Sequence, residues 1–344
     1  MKSEVYCCQT SYHLYQTLLL ASQSKAKAIV IVTDFTPGLH QFSERLEAVS
    51  YIEKVIYIEN EKLESLIKKQ SILKKLSFLI GFKSSLIKTF SKNYPFLSDL
   101  ISNADHVNVF VDKSFIGHFI CYTSNRVKLY DDGEANYFEV RRNIPHIIKH
   151  YVFRIPFGGG RSDSVIEVNY RYPSKVPPSM RKHIGCKLKK IDIDFLESTL
   201  SLEQKTQLIN VFSERLLCNR KNAVILFTQP FSEDRFIEEA RKIEIYRDIL
   251  ESYIQSGCDI FIKPHPREKT SYSNFHPNVS VLPKLMPAEV LNLNKSYKFN
   301  TGIAIQSTAL DNASYVTNKV TIGYERYPDL HLGKEMTDNV IVKK

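Results

Sequence analysis

The chain of 344 residues is long enough for two domains of ordinary size, and 43% hydrophobic against 24% charged residues is a soluble, globular balance. Its apolar runs reach only about five residues, which excludes a membrane-spanning helix of roughly 18 or more. The formal charge of +10 is not spread evenly along the chain.

From the amino end, residues 4–8 read as a strand, 11–22 as a helix with Leu14, Leu18 and Ala21 on one face, and 28–33 as a second strand, a βαβ opening. Gln9, Thr10, Ser11, His13 and Gln16 interrupt the apolar pattern, so a cytoplasmic start is expected rather than a leader. Thr10 and Ser11 sit in a polar turn at a helix N-terminus, where free N–H groups favour anions or hydroxyls, and they are expected to bind substrate. The glycine-rich dinucleotide fingerprint is absent there. Cys7, Cys8, Cys121, Cys186, Cys218 and Cys258 lack metal-ligand spacing and read as reduced, mostly buried thiols.

After a third strand at 54–58, the stretch 65–92 holds Lys68, Lys69, Lys74, Lys75, Lys83, Lys88 and Lys92 without one acidic residue, interleaved with Ile72, Leu73, Leu76, Phe78, Leu79, Phe82, Leu86, Ile87 and Phe90. This is a basic amphipathic helical segment, suited to an anionic membrane surface or an acidic polymer, or else to covering the first domain's core. Strands follow at 107–111 and 126–130. The latter ends in Asp131, Asp132 and Gly133, where a pair of carboxylates on a glycine turn suits general base work. Asp-Gly is also ordinary turn chemistry.

Residues 143–178 are rich in proline, glycine and arginine, and the passage between domains is expected at 156–185. A second series then begins: a capping box at Ser201 and Gln204, a strand at 223–227 running into Gln229, and a helix over 237–255 closed by Gly257. The next strand runs into Lys263-Pro264-His265-Pro266-Arg267. The two prolines hold Lys263 and His265 extended, so His265 stands on a stiff segment at a strand's carboxyl end, where open α/β sheets bind ligands. Strands at 279–282, 302–305 and 319–323 complete the series. Gln306, Ser307 and Thr308 are expected to open a helix, their hydroxyls and N–H groups forming a phosphate cradle or an ordinary N-cap.

Asp131-Asp132-Gly133, His265-Pro266 and Ser307-Thr308, in that order and at domain-scale separations, make the chain resemble the bacterial sialyltransferases, most closely glycosyltransferase family 52. The resemblance spans roughly residues 4–324 and explains the lysine-rich insert least. It implies an α/β fold of the GT-B type, with two Rossmann-like domains facing a central cleft. An acceptor-side domain would occupy 1–155, with the insert at 60–100, and a CMP-sugar domain 186–344. The implied reaction is inverting transfer of sialic acid from CMP-sialic acid to a terminal galactose of lipooligosaccharide or capsule, α-2,3-linked, without metal or other cofactor. His265 would meet the departing phosphate, with Gly133, Gln229, Lys263, Pro266, Gln306, Ser307 and Thr308 around the substrates. The base would be Asp131, which the acidic turn favours, or Asp132; a carboxylate upstream of the His-Pro motif, Glu233 or Asp234, can take its place. Asp192 and Asp194 form an Asp-x-Asp pair of the kind other glycosyltransferases use for metal, but read here as alternating strand chemistry. The expected partners are the donor, the glycan acceptor and, through 65–92, the inner face of the cytoplasmic membrane; nucleic acid is not expected, and a homodimer is left open. A transferase using another CMP- or nucleotide-sugar, a nucleotide-sugar epimerase of the same fold and a polyanion-binding protein remain the alternatives.

Overall fold

A computed structural model describes residues 3–137, 144–213, 222–294, 297–307 and 309–330. Thr308 and Cys218 thus lie outside the described residues. The chain divides into two compact units, Met1–Gln204 and Lys205–Lys344.

The first unit is built on seven strands: β1 (Glu4–Cys8), β2 (Ala28–Thr33), β3 (Ile52–Ile58), β4 (His106–Val109), β5 (Val127–Tyr130), β6 (Val165–Tyr170) and β7 (Leu188–Lys190). They pair in the order β3-β2-β1-β4-β5-β6-β7, and every ladder is parallel. β2 is buried along its whole length, as a strand covered on both faces by crossover helices must be. The order reverses between β1 and β4. That is the switch point of a doubly wound sheet, beside whose carboxyl edge ligands bind.

Residues 156–185, read from sequence as an interdomain passage, instead carry β6, and β7 lies beyond the expected boundary; both belong to the first sheet. The glycines that suggested a linker serve packing. Gly159 and Gly160 donate their N–H groups to the buried Asp112 carboxylate at 2.7 and 2.8 Å, bringing the chain back to the sheet. Asp192 and Asp194 are not in a strand either. Asp192 caps the helix Ile193–Thr199 by accepting the Phe195 N–H at 3.0 Å, and Asp194 pairs with Arg171 at 2.8 Å.

The lysine-rich stretch is three helices rather than one segment: Asn60–Lys68, Ile72–Ile80 and Phe82–Asn93, the last two broken at Gly81. Phe82, Leu86 and Phe90 are buried, and Phe90 stacks on Phe119 at 4.4 Å, so the third helix covers the core. The helix Ile72–Ile80 buries no residue fully. Among the described residues no helix is long and apolar enough to cross a membrane.

The second unit holds β8 (Ala223–Phe227), β9 (Asp259–Lys263), β10 (Val279–Val281), β11 (Phe299–Ile305) and β12 (Val316–Ile322), again all parallel, in the order β10-β9-β8-β11-β12. Its switch point falls between β8 and β11. The carboxyl ends of β8, β9 and β11 therefore deliver Gln229, His265 and Ser307 to one edge of this sheet. The helix expected to open at Gln306 does not form among the described residues; the chain turns through residues 309–312 and goes on to β12. The dipole of a helix is thus unavailable to Ser307.

Candidate active site

The stiff Pro264-His265-Pro266 segment is anchored on both sides. Lys263 is buried, and its ammonium donates to the carbonyls of Pro264 at 2.7 Å and Lys284 at 3.0 Å. Burial lowers it to about 8. It staples the loop through these two carbonyls.

His265 is half-buried, and its Nδ1 accepts the N–H of Arg267 at 3.1 Å. That bond fixes the neutral tautomer, with the proton on Nε2. Burial, then the charges of Arg267 and Lys263, lower its pKa to about 4. The ring is therefore neutral near pH 7, with one N–H left to offer an anion.

Against the His265 backbone lies a carboxylate that sequence reasoning missed. Glu268, almost fully buried, accepts the His265 N–H at 2.8 Å, the Tyr272 hydroxyl at 2.8 Å and the hydroxyl of Thr228, which follows β8. The ammonium of Lys242, itself buried, stands 3.3 Å from Glu268 and 2.9 Å from Glu233. The signal in the sequence is Lys242 on the same helix face as Ile245, Tyr246 and Ile249, a lysine at a core position. Removing one partner of a buried cluster strands the other charge, so Lys242→Met is expected to destabilise the fold by about 3–5 kcal/mol. Urea unfolding with an unchanged midpoint would contradict that assignment.

Two further carboxylates lie within the electrostatic reach of His265: Glu233 and Asp234. Burial pushes Glu233 up, but the amide of Lys269 at 2.6 Å and the Lys242 ammonium outweigh it and hold it at about 2. A carboxylate so committed is a poor base. Asp234 is bound by the fork of Arg267 at 2.6 and 3.0 Å. Both side chains reach solvent, Arg267 being 61% exposed, so this pair can open when substrate arrives. Gln229 sits beside them, its N–H held by the Tyr246 hydroxyl at 2.7 Å, and Pro266 is half-buried. At the end of β11, Gln306 is exposed with φ of 40°, a left-handed turn that carries the chain into the half-buried Ser307.

In the first unit the two adjacent aspartates have different environments. Asp131 is buried and accepts from the Gly133 N–H at 2.8 Å, the Arg171 N–H at 2.9 Å and the Tyr137 hydroxyl, while its carbonyl accepts from Gln16 at 2.7 Å. It braces the turn from inside, with Gly133 at φ of 102°, although the acidic turn favours it as the base. Asp132 reaches solvent and hydrogen-bonds His13 Nε2. His13 is buried, stacks on Phe110 at 4.5 Å and accepts the Gln9 N–H at Nδ1, which makes Nε2 the donor to Asp132. Thr10 caps the helix Ser11–Ala21 by accepting the His13 N–H at 3.2 Å, and Ser11 is buried. The Thr10 hydroxyl is thus engaged in the turn, with Ser11 buried beside it. Among the described residues no group of three His, Cys, Asp or Glu side chains is arranged to hold a metal ion.

A model of glycosyltransferase family 52 matches residues 55–322. A protein of Haemophilus influenzae (strain ATCC 51907 / DSM 11121 / KW20 / Rd), described as uncharacterized, is 34% identical over 207 residues, 59% of this chain and 63% of that protein. The chain thus matches less than two thirds of that relative's length.

Proposed function

The chain belongs to glycosyltransferase family 52, and from that premise we propose that it moves sialic acid from CMP-sialic acid to a terminal galactose of lipooligosaccharide or capsule. The acceptors are carried at the inner face of the cytoplasmic membrane, and the new linkage is α-2,3. The observation that supports this reading is the braced, neutral His265 at the end of β9, with Asp234 in its electrostatic field. In the proposed reaction the acceptor oxygen attacks the anomeric carbon as the bond from that carbon to the CMP phosphate breaks, and the configuration inverts. Asp234, released from Arg267, takes the acceptor's proton. The Nε2–H of His265 donates to the departing phosphate, and the Ser307 hydroxyl holds it. A phosphate leaves as a stable anion, so charge stabilisation by a neutral donor is sufficient. The scheme invokes no metal.

A panel of CMP- and UDP-sugars offered with one galactose-terminated acceptor tests the donor. CMP-sialic acid is expected to be turned over at least tenfold faster than the others. Preference for a UDP-sugar would overturn the assignment.

A further inference from the structure

On the helix Ile72–Ile80 the apolar stripe points outward. Ile72, Leu76 and Ile80 recur at i, i+4 and i+8 and are 81%, 45% and 70% exposed, while Phe78 and Leu79 turn toward the core. A surface helix ordinarily does the reverse. A second apolar face lies beside it. The helix Ile144–Tyr151 and the residue after it expose Ile147, Ile148, Tyr151 and Val152. Ile80, Phe82 and Ile87 meet Val152 and Phe153 across a groove of about 540 Å³. Lys83 and Arg154 line the same groove, and the Lys83 ammonium stands 5.5 Å over the Tyr122 ring. Exposed apolar surface on this scale marks an interaction site.

We infer that this face is a membrane foot: the two helices lay their exposed apolar side chains into the headgroup boundary of an anionic bilayer, while Lys74, Lys83, Lys88, Lys149 and Arg154 meet its phosphates. Charge selects this occupant. No aspartate or glutamate occurs from Ser65 to Ser98 or from Val140 to Ser162, so both helices bring only positive or neutral side chains to the face. Glu64, the acid just before the first of these runs, is paired with Lys68 at 2.6 Å. A second copy is a poor fit, because two-fold pairing would set one acid-free basic face against another. Anionic headgroups complement it, and the apolar stripe gains a hydrocarbon boundary. The third helix of the lysine-rich stretch lines the groove with Phe82 and Ile87, while its Leu86 and Phe90 are committed to the core.

The inference goes beyond the transfer reading and does not rest on it, since binding is read without any donor. The full chain is sedimented with phosphatidylcholine vesicles, with and without phosphatidylserine, at low and high salt. It is expected to bind only the anionic vesicles, and to release in salt. Lys74→Gln, Lys83→Gln and Arg154→Gln together should weaken binding by roughly fivefold per charge, about 100-fold in all. Ile72→Ser, Leu76→Ser and Ile80→Ser together should weaken it at least as much with the melting temperature unchanged, because all three are exposed. Transfer to a soluble acceptor should be intact in both variants. Equal binding to neutral vesicles, no binding at low salt, or full binding by either variant would overturn the inference. So would a wild-type dimer that the serine variant dissolves, which would make the face a contact between copies.

Discussion

His265→Ala is expected to leave a folded protein whose transfer rate has fallen by about 100-fold or more. The fold should survive because the ring adds little to the core: Glu268 is held by the backbone N–H of residue 265, not by the imidazole. The same geometry sets the pH behaviour. With its pKa lowered to about 4, His265 stays neutral in the free enzyme over the range where an ordinary histidine titrates near 6.5. Its acid limb in kcat/KM should therefore lie near pH 4. For stability the sign follows from linkage. Between about pH 6.5 and 4 the unfolded chain carries a proton on this ring that the folded chain does not, so stability falls as pH is lowered through that window. His265→Ala should remove that part of the slope. A folded mutant with unchanged turnover would end the role assigned to this residue.

Asp234→Asn is expected to reduce turnover by a similar factor at unchanged donor affinity, since it removes the proposed base and leaves the proposed phosphate contacts in place. Asp132→Asn should retain most turnover. Asp131→Asn should chiefly lose stability, of order 1–3 kcal/mol, because its carboxylate braces Gly133, Tyr137 and Arg171. A large loss at Asp132 with Asp234→Asn still active would move the base to the first unit, where the His13 contact would then hold it in place.

Much of this arrangement is legible in local chemistry. The apolar runs at 4–8, 28–33, 223–227 and 260–262 announce buried parallel strands, and the prolines flanking His265 announce a rigid strand end. What is not legible depends on tertiary partners. β6 hides in a stretch of proline, glycine and arginine because its glycines serve close approach to Asp112 rather than flexibility. Asp131 and Asp132 are the same residue type side by side; only the fold makes one a brace and leaves the other reaching solvent. Helical spacing in the lysine-rich stretch could not say that Phe82, Leu86 and Phe90 face the core while Ile72, Leu76 and Ile80 face out. The Lys242–Glu268 pair joins residues from separate elements, and no local pattern predicts that meeting.

The central claim is that sugar leaves CMP directly for an acceptor hydroxyl, and NMR of one reaction mixture tests it. CMP-sialic acid and a galactose-terminated acceptor, followed together, should give one CMP for each new sialoside, with a single inverted anomeric configuration and almost no reaction when the acceptor is omitted. CMP release with free sugar at the same rate without acceptor, or a product of retained configuration, would contradict the account.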